Sequence, residues 1–294
     1  MATPLDLRRI PAYVINLKER PDRWKRFTDQ PAVHALRLRR LAAINGKALR
    51  WRTDKRISLH TKLNIFRNYR RSHYEIATLG AVGSSLSHIA AWRKFVASGS
   101  PVCLVLEDDA ILTEDIIKRV EQLSTSAPPD WGIWLLGCYK PTTIFQEMEG
   151  AAAGWRQIHN FTAAHAYLLR REAALKLLEE PLPIETHIEY YITGSSTIKE
   201  FKIVQHPDLH IEFFRKERDK PRVYDSNTSQ HKKTGCPSCS VPDDYGQLYR
   251  GATRRKRGEG LQVDGLVVTG QQGGTIRMLR GALAAITRKN RRNE

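Results

Sequence analysis

Apolar positions gather into short runs set between polar, Gly- and Pro-containing stretches. The sharpest run is Val102-Cys-Leu-Val-Leu106, which passes directly into Glu107-Asp108-Asp109-Ala110. A continuous apolar run of this length, set off by Ser100-Pro101, predicts a strand buried on both faces. Tyr13–Leu17, Leu38–Ile44, Trp131–Gly137, Phe161–Leu169 and Phe201–Val204 read as further strands. Leu86, Ile89, Ala90 and Val96 follow helical spacing. They predict a core-facing helix entered through Gly80 and Gly83, capped by Ser84 or Ser85, and stopped at Gly99. A second helix is predicted over Glu172–Glu179, with Leu175 and Leu178 inward and Pro181 and Pro183 ending it. Asp22 either caps a helix from Arg23 or forms a turn with Pro21. Residues 47–78 read as a basic loop with one short helix, and 141–157 as a loop with an edge hairpin. From Arg215 onward apolar runs thin out, leaving Leu266-Val-Val as an isolated strand and Met278–Thr287 as a short helix.

The pattern is that of an α/β protein, and 294 residues suffice for one large or two small domains. No stretch reaches the roughly 20 apolar residues of a membrane span. The first residues lack an apolar signal core, so a cytoplasmic protein is expected, with peripheral membrane residence left open. Four cysteines in this length do not make a disulfide framework. The net charge of +17 is unevenly spread: residues 37–71 carry +11, residues 215–294 carry +10, and residues 72–214 carry −7. Basic flanks of this kind suit nucleotide phosphates, nucleic acid or an anionic surface, or are solvated faces with no partner.

Ligands of α/β sheets bind beyond the carboxyl ends of the strands, where Glu107, Asp108 and Asp109 should emerge. Adjacent carboxylates repel, and a divalent cation with hard oxygen ligands relieves that repulsion. The plainer reading is an acidic loop before a helix starting near Thr113-Glu114-Asp115. The first strand delivers Asn16, Arg20 and Arg23 to the same edge, where Arg forks suit a diphosphate or are surface arginines. There is no Gly-x-Gly-x-x-Gly and no Gly-Lys-Ser/Thr, which excludes a dinucleotide fold and a P-loop. His88 is placed in the first turn of its helix. Cys236 and Cys239, with His231, either hold zinc or are free thiols, since Cys103 and Cys138 fall on distant strands.

Three blocks in order, Val14-Ile-Asn-Leu-Lys-Glu-Arg20-Pro-Asp-Arg23, Gly80-Ala-Val-Gly83-Ser-Ser-Leu86-Ser87-His88 and Leu104-Val-Leu-Glu107-Asp108-Asp109-Ala110, resemble glycosyltransferase family 25. That family includes lipooligosaccharide and procollagen galactosyltransferases. His165-Ala-Tyr167-Leu-Leu resembles a later block, and the likeness covers roughly residues 11–214.

The resemblance implies a GT-A-type, Rossmann-like mixed sheet flanked by helices over residues 1–214, followed by an irregular basic extension over 215–294. It implies inverting transfer of a hexose, galactose or glucose, from a UDP-sugar to a hydroxyl of a glycan or protein, with Mn²⁺ or Mg²⁺. Asp109 and Glu107 would hold the metal, with Asp108 completing a DxD-like motif. Asn16, Arg20 and Arg23 would sit near the nucleotide, Ser87 and His88 would line the donor pocket, and His165 and Tyr167 would lie beside the sugar. Pro183-Ile184-Glu185 stands where family members often carry Pro-Ile-Asp, making Glu185 a candidate base with Glu189 behind it. Two rivals remain: sugar transfer to modified bases of DNA, and a non-catalytic nucleic-acid or membrane-surface binder on a degenerate fold.

Overall fold

The computed structural model describes residues 4–70, 72, 74–139, 143–194 and 200–214, together with the backbone of short strands at 233–234, 261–263 and 266–268. In chain order the elements are β1 (Pro11–Asn16), α1 (Pro21–Thr28), β2 (Arg37–Ala42), α2 (Leu59–Arg67), β3 (Tyr69–Arg70), α3 (Leu79–Ala97), β4 (Val102–Glu107) and β5 (Ala110–Ile111). They continue with α4 (Ile116–Ser124), β6 (Trp131–Gly137), β7 (Ile144–Glu147), β8 (Arg156–Asn160), β9 (Ala166–Arg170), α5 (Arg171–Leu177), α6 (Ile188–Gly194), β10 (Lys202–Gln205) and β11 (Glu212–Phe213).

Eight strands form one mixed sheet in the order β2-β1-β4-β9-β6-β10-β8-β7. β2, β1 and β4 are parallel, and β6 is parallel to β10. β9 runs antiparallel between β4 and β6, and the β7–β8 hairpin closes one edge. Side chains alternate across the sheet as period 2 requires. Tyr13, Ile15, Cys103 and Val105 enter one core with α3, α5 and α6, while Ala12, Val14, Leu104 and Leu106 enter the other with α1 and α4. Burial on both faces explains why β4 reads as an unbroken apolar run.

The strands fall where the hydrophobic pattern places them, with β9 starting at Ala166 rather than Phe161. Three helix details differ. Pro21 occupies the first turn of α1, where its fixed φ fits and its missing N–H costs nothing, so Asp22 lies inside the helix. In α5, Ala173, Ala174 and Leu177 are buried and Leu178 packs half-buried against the core as expected, whereas Leu175 is exposed.

The third difference matters most for the site. The helix α3 begins at Leu79, with the Thr78 hydroxyl accepting from Ala81 N at 3.2 Å, and not at Ser84 or Ser85. Gly80 and Gly83 are therefore helical, and His88 lies mid-helix, away from the anion-attracting end. A close crossing explains Gly83: a Cβ there would come within 2.4 Å of Ile44 O and 2.8 Å of Gly46 N. The 44–46 loop rides directly on the helix backbone. Ser87 locks the crossing, donating to Gly83 O at 2.6 Å and accepting from Ile44 N at 2.8 Å.

The expectations for 215–294 as an extension, for zinc at Cys236, Cys239 and His231, and for a helix at 278–287 lie outside the described residues. Leu266–Val268, expected alone, pairs antiparallel with Leu261–Val263.

The crossing sets a sign. In an open helix Gly→Ala stabilises by about 1 kcal/mol. Gly83→Ala should instead destabilise by roughly 1–3 kcal/mol, because the new methyl meets backbone that cannot yield. Urea unfolding reads the difference, and a gain in stability would refute the crossing.

Candidate functional site

The carboxyl ends of β1 and β4 lie side by side, pairing Ile15 with Glu107. Asn16, Glu107, Asp108 and Asp109 therefore meet at one edge. Asn16 is buried and fully engaged. Its Nδ2 donates to Asp108 Oδ2 at 2.6 Å and Arg20 O at 3.2 Å, while its Oδ1 accepts from Arg40 Nε and Nη2 at 3.0 and 2.5 Å. From the first turn of α1, Arg23 Nη2 reaches Asp108 Oδ1 at 2.5 Å and Asp109 Oδ2 at 2.8 Å. One guanidinium thus bridges two adjacent carboxylates, the charge-assisted contact that like charges at this spacing demand. Asp109 Oδ1 is buried without a hydrogen-bond partner.

Glu107 turns toward α3. Its Oε1 lies 3.2 Å from His88 Nε2, and His88 Nδ1 lies 3.0 Å from the Tyr167 hydroxyl, which also accepts from Trp92 Nε1 at 2.8 Å. If the Tyr167 hydroxyl donates to Nδ1, His88 Nε2–H donates to Glu107, so the chain Trp92–Tyr167–His88–Glu107 closes with every polar atom satisfied.

Electrostatics separate the three acids. Burial pushes Glu107 up, but the His88 hydrogen bond and the nearby His165 and Arg23 charges hold it below the usual carboxylate range. Burial raises Asp108, against the opposing Arg23 charge and the Asn16 hydrogen bond. Burial and the Glu107 charge push Asp109 up to about 7 despite Arg23. An orphaned oxygen on a carboxylate that resists ionisation marks a place short of positive charge.

Does a divalent cation fit? Among the described residues no three His, Cys, Asp or Glu side chains converge as a closed metal cage. Mg²⁺ and Mn²⁺ in nucleotide sites do not need one, since one or two carboxylates suffice and substrate phosphates and waters complete the shell. Asp109, with its orphaned Oδ1, and Glu107 match that donor set.

The remaining residues divide clearly. Glu189, on α6, accepts from Ala163 N at 3.0 Å, and burial and the Glu107 charge raise its pKa. It lies within reach of the Glu107 charge. Glu185 is exposed, beside a backbone pairing of Ile184 with Ile57. Arg20 forks onto Asp22 at 2.9 and 2.8 Å, holding that carboxyl at about 2, so its guanidinium is already committed.

Three of the expected contacts have their polar atoms engaged within the protein. Ser87 is buried with its hydroxyl spent on backbone, so it shapes a wall rather than offering a group to a ligand. Tyr167 is fully buried behind His88. His165 is buried with its ring nitrogens on Ile211 O at 2.7 Å and Ala163 O at 3.2 Å. It tethers the β9 entry, and Gly137 leaves it room, since a Cβ there would sit 2.1 Å from His165 Nε2.

Sequence reasoning missed Arg40 and Trp92. Arg40 sits on β2 opposite Val14 and meets Asn16 across the parallel pair, a contact no local pattern announces. Trp92 lies one turn beyond His88, a spacing that could have paired them.

The buried chain through Tyr167 sets a cost. Tyr167→Phe keeps the ring but leaves Trp92 N–H and His88 Nδ1 without their partner, so it should destabilise by about 1–3 kcal/mol. Guanidinium unfolding measures it, and an unchanged midpoint would show that the hydroxyl is not buried between them.

Comparison with known proteins sits alongside this geometry. A family model described as "Glycosyltransferase family 25 (LPS biosynthesis protein)" matches residues 9–192. A "Glycosyltransferase 25 family member" of Aedes aegypti is 29% identical over 187 residues, 61% of this chain and 30% of its own length. A "Probable inactive glycosyltransferase 25 family member 3" of Rattus norvegicus is 30% identical over 112 residues, 38% of this chain and 19% of its own. The "Inactive glycosyltransferase 25 family member 3" of Homo sapiens is 27% identical over 175 residues, 58% of this chain and 29% of its own. The chain spans less than a third of the length of these relatives. With the family model covering well over half of its residues, including every strand that builds the acidic edge, this chain belongs to glycosyltransferase family 25.

Proposed function

We propose that this protein transfers a hexose, galactose or glucose, from a UDP-sugar to a hydroxyl of a glycan or protein, with inversion, on a GT-A-type sheet. Two of the three relatives above are named inactive, so the reading rests on this chain's own residues. The observation that carries it is the acidic edge: three carboxylates, one bridging arginine, and one buried carboxylate oxygen lacking a partner. Neither the family description nor these relatives' names mention nucleic acid, which leaves the DNA-directed reading without support, and the intact acids of β4 argue against the non-catalytic one.

Asp109 and Glu107 would hold Mn²⁺ or Mg²⁺, which when bound neutralises the diphosphate leaving group. Arg23, anchored on Asp108 and Asp109, offers its remaining N–H groups to phosphate oxygens. Asn16 keeps Asp108 oriented, and Arg40 keeps Asn16 oriented. His88 fixes the rotamer of Glu107. Glu189 is the preferred base: its carboxylate feels the Glu107 charge, and its raised pKa strengthens it as a proton acceptor. The acceptor oxygen attacks the anomeric carbon, the bond to the diphosphate breaks with its electron pair leaving on UDP, and the acceptor proton passes to Glu189.

Two measurements test this. Glu189→Gln should lower kcat about 10²- to 10⁴-fold in a UDP-hexose transfer or hydrolysis assay, while Glu185→Gln stays near wild type. The reverse ranking would return the base to Glu185. Second, a proton on Asp109 competes with the cation. Mn²⁺ affinity should therefore fall roughly tenfold per pH unit as pH drops below 7 and level off above it. An affinity flat across that range would remove Asp109 from the metal.

A further inference from the structure

The helix α2 is built inside out. A surface helix usually buries its apolar stripe and shows its polar face. Here the two buried positions, Thr61 and Asn64, are polar, with Ile65 half-buried against the core beside them. The Ser58 hydroxyl accepts from Thr61 N at 3.1 Å, the Thr61 hydroxyl donates to Ile184 O at 3.0 Å, and Asn64 Nδ2 donates to the buried Glu75 at 3.4 Å. Leu59, Leu63 and Phe66, at i, i+4 and i+7, form one outward stripe with 73%, 41% and 72% of their surfaces exposed. These are three of the four large apolar side chains exposed among the described residues.

Charge decides the partner. At about 100° per residue, Lys62 falls on one side of the stripe and Arg67 on the other. Lys55 precedes the helix and is exposed, as are Lys47, Arg50 and Arg52 before it. Residues 47–70 contain one acid, Asp54, and it is neutralised by Arg56 at 2.6 Å. An apolar stripe edged by cations on both flanks, on a helix too short to span a bilayer, matches an anionic lipid surface, where apolar side chains enter the acyl boundary and cations meet headgroup phosphates.

We infer that α2 is a peripheral membrane-docking element that seats Leu59, Leu63 and Phe66 into an anionic bilayer. The same helix packs on the 184–186 segment through Ser58 and Thr61, just before the helix that carries Glu189. Docking would therefore set the acidic edge close to the lipid surface.

The test is flotation of the full chain with vesicles of phosphatidylcholine mixed with phosphatidylglycerol, and with phosphatidylcholine alone. The wild type should partition to the anionic vesicles and weaken with salt. Leu59→Ser/Phe66→Ser leaves every charge in place and should lower partition about tenfold or more. Lys62→Glu/Arg67→Glu should lower it comparably, whereas Leu175→Ser, an exposed residue on α5, should not. In the Ser double variant the unfolding midpoint and donor hydrolysis in solution should match wild type. Equal partition of wild type and both double variants would place any lipid contact elsewhere and overturn the proposal. A marked loss of stability in the Ser variant would show instead that another part of this chain covers the stripe. A wild-type dimer that the Ser variant dissolves would show a second copy covering it.

Discussion

Three carboxylates in a row at the end of a buried strand repel one another and resist desolvation, and the rest of the site is arranged to offset that. The Arg23 guanidinium between Asp108 and Asp109 is the main counterweight. It is effective because α1 starts immediately after β1, with Pro21 setting the first turn. Asn16 then ties Asp108 to Arg40, carrying positive charge inward from β2. The compensation is incomplete: Asp109 keeps a buried oxygen without a partner, and its proton leaves only near neutrality. That uncompensated oxygen is the feature on which the proposed cation rests.

The other wall depends on β9 running against its neighbours. Because it enters the sheet beside the end of β4, His165 O accepts from Glu107 N at 2.8 Å and Tyr167 lies behind His88. The reversal also places Ala163, in a left-handed turn with φ +63°, where its N–H meets Glu189. The antiparallel placement of β9 between β4 and β6 thus brings the turn that holds Glu189 beside the end of β4.

Much of this was legible from the residues. The strands could be read because each is an apolar run bounded by turn residues. The acidic edge followed from where such strands end, and the family from three blocks in order. What could not be read was set by distant contacts. The start of α3 was misplaced because Gly80 and Gly83 look like a loop, and only the Ile44–Gly46 crossing makes glycine the right residue inside that helix. The burial of Ser87, His165 and Tyr167, and the internal partners each side chain takes, could not be read from their types. Arg40 was invisible because its partner, Asn16, lies across a strand pair. The helix α2 was read only as short, because its reversed polarity shows once its polar face is seen bonded to the 184–185 backbone.

The account stands on the acids of β4 gripping a nucleotide diphosphate through a cation, and calorimetric titration of UDP with and without Mn²⁺ is its most direct measurement. Wild type should bind UDP tightly only with Mn²⁺, and Asp109→Asn should lose that dependence along with most of the affinity. Equal UDP binding with and without the metal, unchanged in Asp109→Asn, would contradict it.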